Sequence, residues 1–145
     1  MNVTWIRRTQ CAWHAHGLLH DTMLLVGAYQ QLAVRLADGF DEDVFATART
    51  IRQLIEHGVD KMEAYLIAGR LPDTWAAKQR ERLTAVIDQT DALMNKARTQ
   101  YNEMLLLEYE ANGVPGHVLE RIRQAMAGTD GLLGGIEVMP VPDEE

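Results

Sequence analysis

No serine occurs anywhere in the chain, so every Ser-His-Asp scheme of nucleophilic catalysis is excluded at the outset. Cysteine is nearly as scarce. Cys11 stands alone, which rules out an intramolecular disulfide or a multi-cysteine metal site and fits a reducing compartment. Apolar runs are too short to cross a membrane, and Arg7 and Arg8 lead into a histidine-rich stretch rather than a signal-peptide core, so the expectation is a cytoplasmic protein. Clustered positive charge is missing too. The net charge is −7, of which the acidic residues in 128–145 supply five units and no Lys or Arg offsets them. The nearest approach to a basic patch, "KQRERL" with Lys78, Arg80 and Arg82, is broken by Glu81, which speaks against duplex nucleic acid as a partner. A phosphate-cradling glycine loop is absent as well, because "GLLGG" does not join a strand to a helix.

What the chain does have is length for one core and a helical rhythm. At 145 residues with 47% apolar and 24% charged, it is composed as a folded domain that buries roughly 70% of its unfolded surface. Breaks are confined to "DGFDED", "GRLPDT", "NGVPG" and "GTDGLLGG". Before the first break, Cys11, Ala15, Leu18, Thr22, Leu25, Tyr29, Leu32 and Leu36 alternate four and three apart, the spacing of a heptad seam. The second segment repeats it with Val44, Ala48, Ile51, Ile55, Gly58, Met62 and Tyr65, with Asp41 as N-cap and Gly69 as terminator. A third seam runs Leu83, Val86, Thr90, Leu93, Ala97, Gln100, Met104, Leu107, Ala111, with no Pro or Gly from 73 to 112.

Short turns between long helices make neighbours antiparallel. The sequence therefore predicts an all-α fold: an elongated antiparallel bundle of three long helices, a short fourth from about Pro115 to Ala127, and an extended acidic tail. The bundle domain spans 1–127 and the tail 128–145. The third helix, about 60 Å against about 42 Å for the second, must overhang, and Leu105, Leu106 and Tyr109 there need cover. Either the fourth helix or a second subunit supplies it.

Chemistry centres on the histidines. His16 and His20, one turn apart in "WHAHGLLHD", fall opposite the seam and share that strip with Met23, Gly27 and Val34. As an i,i+4 pair they are half of a zinc-type site, with His57, Asp60 and Glu63 as candidate further donors; the alternative reading is a mildly apolar docking strip. Diiron signatures are lacking, since Glu56 and His57 are adjacent and diverge. The string "RQLIEH", residues 52–57, resembles the Arg-x4–6-His signature of the HEPN ribonucleases. That resemblance covers six residues and implies Arg52 as a phosphate anchor and His57 as an acid–base group in RNA cleavage. Beside it, Glu56, Asp60 and Glu63 form an acidic stripe that repels an RNA backbone. On a solvated face, Arg49 and Arg52 would instead pair with Gln53 and Glu56.

The function expected from these residues is non-enzymatic. An assembly or adaptor role through a protein partner or self-association places contacts at Leu105, Leu106 and Tyr109, at His16, His20, Met23 and Val34, and at Ile136, Val138 and Val141 in the tail. The alternatives are the Arg52–His57 ribonuclease and the His16–His20 metal site. No cofactor, membrane or small-molecule substrate is expected.

Overall fold

Asp41 starts the second helix as its place in "DGFDED" predicts. Its backbone is extended and its carboxylate accepts hydrogen bonds from the Asp43 and Val44 N–H groups at 2.8 and 3.1 Å, satisfying donors that the first turn leaves open. The computed structural model, which describes residues 3–128, contains four helices: α1 (Val3–Asp38), α2 (Glu42–Gly69), α3 (Asp73–Ala111) and α4 (Gly116–Gly128). The class is all-α. Among the described residues no helix is long and apolar enough to cross a membrane.

The end of α2 differs from expectation. Gly69 remains helical, and Arg70 takes the left-handed conformation, φ 49°, where the Arg70 and Leu71 N–H groups bond back to Ile67 and Leu66. Glycine is needed at 69 for proximity instead: a Cβ there would lie 2.6 Å from the Cys11 Cβ. Gly58 plays the same part against the Thr22 hydroxyl. These two contacts, with Ala15 and Ala48 fully buried, draw α1 and α2 into a close antiparallel pair.

The third helix lies on that pair. His16 meets Trp75 and Tyr29 meets Asp91, so α3 runs parallel to α1 and antiparallel to α2, the up-down-up order expected. One continuous core, from Ala15 to Leu36 on α1, Val44 to Leu66 on α2 and Ala76 to Ala97 on α3, fills the space between them. A small second cluster holds Val118, Ile122 and Met126 of α4 against Leu105, Leu106 and Tyr109, so α4 covers the overhang of α3.

The third seam is where sequence and structure part. The buried series on α3 is Leu83, Ile87, Thr90, Met94, Ala97, Arg98 and Asn102, whereas Leu93, Gln100, Met104, Leu107 and Ala111 face outward. The buried face is centred further round the helix than the seam: Ile87 and Met94 are buried where the spacing places Val86 and Leu93, so the half of the seam through Leu93, Gln100 and Leu107 is left outside. Polar residues enter the interior in its place.

Candidate functional site

Three side chains from three helices meet where α3 crosses the α1–α2 pair. The fully buried Tyr29 of α1 donates its hydroxyl hydrogen to Asp91 Oδ1 of α3, and the Arg52 Nε of α2 donates to the same oxygen at 3.1 Å. Burial, and then the hydrogen bond to Asp91, hold the Tyr29 hydroxyl far above its ordinary pKa. The cluster is internally satisfied and serves as a polar clamp joining all three helices. Sequence reasoning missed Asp91; the available signal was that a seam tyrosine needs a partner for its O–H.

A second polar layer lies near the α1–α2 turn. Arg98, 4% exposed, donates to Glu42 Oε1 at 2.9 Å and sits over the rings of Phe40 and Phe45, 5.6 and 5.2 Å from their centroids. Phe40 also stacks on Tyr101 at 4.3 Å. One turn beyond Arg98, the buried Asn102 has neither its side-chain oxygen nor its nitrogen hydrogen-bonded.

The ribonuclease pair is not brought together. Arg52 is committed to Asp91 rather than to Gln53 or Glu56, and it borders a small groove between α2 and α3 of about 170 Å³ whose other charged lining residues are Arg80, Glu56, Asp60 and Asp88. His57 is exposed and lines no part of that groove. The other histidines also separate. His14 stacks on Tyr65 at 4.9 Å, His16 meets Trp75 edge-on at 4.8 Å, and His20 is exposed. Among the described residues no group of three His, Cys, Asp or Glu side chains is placed to hold a metal.

A larger concavity is apolar. Between α1 and α3 runs a groove of about 610 Å³ with Leu19, Met23 and Val26 on one wall and Leu83, Ala85 and Val86 on the other. Gln30, Gln79 and Arg82 supply its polar atoms, and Arg82 is its single charge. Of the expected docking strip, Met23 lines this groove, while Val34, 61% exposed, lies further along the same helix. Leu105, Leu106 and Tyr109 are half-buried under α4. Ile136, Val138 and Val141 lie outside the described residues.

Why the groove stays open follows from the side chains around it. Glycine and alanine let α1 and α2 close up, but α3 is propped on Tyr29, Met94, Leu83 and Ile87, whose bulk keeps its axis away from α1. Comparisons with protein families, with curated proteins and with solved structures find no match for this chain. Its functional reading rests on this geometry.

Proposed function

We propose that the chain is a non-enzymatic helical adaptor or assembly subunit that receives an amphipathic helix of a protein partner in the α1–α3 groove. The observation that carries this reading is the groove itself: about 610 Å³, walled by aliphatic side chains and a methionine, and open to solvent with Met23 59% exposed. Ligand grooves of this kind are read by apolar anchors at i, i+3, i+4 and i+7 of the incoming helix. Methionine in such a wall adapts to differently shaped anchors.

The arrangement favours a helix over other occupants. Because α1 and α3 are parallel, a helix between them running the opposite way would complete a four-helix bundle with every neighbour on that face antiparallel. Arg82 at the rim favours an acidic flank on the visitor, and no carboxylate lines the groove to oppose one.

The test is capture from the source cell by immobilised wild-type chain and by a Met23→Glu variant. A protein retained by the first and lost by the second, with the helical circular-dichroism spectrum unchanged, supports the reading. Equal retention by both removes the groove as the docking site.

A further inference from the structure

The apolar residues that slide off the core of α3 form a surface of their own. Leu93, Gln100, Met104, Leu107 and Ala111 are spaced seven, four, three and four apart, which lines them up on one side of a helix, and all five are exposed. Scattered exposed leucines carry no meaning, but a stripe in heptad register is a packing surface. It is 49% exposed at Leu93, 55% at Met104 and 68% at Leu107. α4 packs on Leu105, Leu106 and Tyr109, about half a turn away, and so leaves the stripe uncovered.

We propose that a second copy of this chain covers the stripe, α3 against α3 and antiparallel, with the two-fold axis passing between Gln100 and Met104. The proposal rests on reading the outer side of α3 as part of the docking face, but it uses the half of that side beyond the groove. Heptad geometry fixes the layers: Leu93 of each copy lies against Ala111 of the other, and Gln100 against Met104.

Charge selects the direction. On one flank of the stripe Met94 is buried and Tyr101 half-buried against Phe40, leaving Glu108 exposed there, so the open flank is the other, with Lys96, Glu103 and Glu110, all exposed. None of the ion pairs found among the described residues engages these three. In an antiparallel pair this flank meets itself, and Lys96 of each copy faces Glu110 of the other, twice over, with Glu103 crossing its counterpart once near the axis. A parallel pair would set Glu103 against Glu108 twice and leave Lys96 without an acid. Opposite charges in register stabilise one pairing and like charges penalise the other, which is how helices choose orientation.

Sedimentation equilibrium of the full chain over micromolar concentrations tests this. Dimer formation is expected, weakened roughly ten-fold or more by Leu107→Glu, which places a carboxylate at the most exposed apolar position of the stripe, one layer out from the Gln100–Met104 centre. Lys96→Glu and Glu110→Lys should each weaken it, and the double variant should restore it to near the wild-type level. All four positions are exposed, and an unchanged circular-dichroism spectrum shows that the variants fold. A monomer at every concentration, a dimer indifferent to Leu107→Glu, or a charge swap without rescue overturns the proposal. Tightening by Glu103→Lys also overturns it, because only the parallel pair gains an opposite charge there. A monomeric chain whose partner capture still depends on Met23 sinks the dimer and leaves the groove standing.

Discussion

Along the α1–α2 seam a Cβ on Gly69 would meet the Cys11 Cβ and one on Gly58 the Thr22 hydroxyl, each at 2.6 Å, while along the α1–α3 seam the helices stand apart and leave about 610 Å³ open. The same helix therefore has one neighbour held by close backbone approach and another that stands further off, bridged by the Tyr29–Asp91 hydrogen bond. In the tight seam the close approaches are made at Gly58 and Gly69, with Ala15 and Ala48 fully buried, so its contribution is packing. The loose seam is bridged by the Tyr29–Asp91 hydrogen bond, while Arg52–Asp91 and Arg98–Glu42 tie α3 to α2 and so fix where α3 sits without filling the space beside α1. Stability and accessibility are thereby assigned to different faces of α1. Substitutions in the two seams should fail in different ways.

The largest effect is expected from Asp91→Ala. Removing the carboxylate strands the Arg52 guanidinium, 12% exposed, and the Tyr29 hydroxyl with no acceptor, a loss of about 3 kcal/mol measured by urea unfolding. If the loose seam were held by apolar packing alone, the cost would fall below about 1 kcal/mol. Gly69→Ala comes next. The new methyl must push the α1 backbone at Cys11, costing about 2 kcal/mol, of which a better helix propensity returns less than half. Gly58→Ala should cost less, because what its methyl meets is the end of a side chain, the Thr22 hydroxyl.

How much of this comparison could be read from the sequence depends on which seam is asked about. Of the two predicted seams, Cys11, Ala15, Thr22, Tyr29 and Leu36 on α1 and Val44, Ala48, Ile55 and Met62 on α2 are interior, while Ile51 and Gly58 are half-buried. Leu18, Leu25 and Leu32 of the same α1 seam are only half-buried, while Val26 and Ala33 beside them are interior. On α3 the buried face is turned further from the seam, and Leu93, Met104 and Leu107 emerge while Arg98 and Asn102 sink. Tyr65, placed in the second seam by spacing, is likewise displaced by Leu66. The groove was illegible for another reason: it depends on how far apart two helices stand, which the bulk of the seam residues sets only once their rotation is known. His16 illustrates this, since a wheel drawn on α1 alone turns it outward, yet α3 brings Trp75 to it.

The clamp also makes the loose seam sensitive to alkali. The Tyr29 proton is held more firmly in the folded chain than in the unfolded one, where a tyrosine ionises near 10. Its contribution is therefore complete below about pH 10 and declines as the pH rises above that, because only the unfolded chain then releases the proton. The stability difference between wild type and Tyr29→Phe, measured in urea at pH 8, 10 and 11, should shrink across the series. A difference that grew with pH would mean that the hydroxyl does not stay protonated in the fold.

Asn102 offers a smaller effect of opposite sign. Its amide is buried with both polar atoms unpaired, a desolvation cost that a similarly sized apolar side chain avoids. Asn102→Leu should raise stability by about 1 kcal/mol, read as a higher urea midpoint at unchanged slope. A loss instead would show that the amide has a partner in solution, which would make the layer between the two apolar clusters a binding position rather than a defect.

The smallest effect on folding is expected inside the groove, and its smallness is what separates the seams. Met23 is more exposed than buried, so Met23→Glu should change stability by less than about 0.5 kcal/mol. The sharp expectation is thus a variant as stable as wild type that no longer retains a partner. Should Met23→Glu cost several kcal/mol, the groove would be closed in solution, with α3 resting against α1 as closely as α2 does.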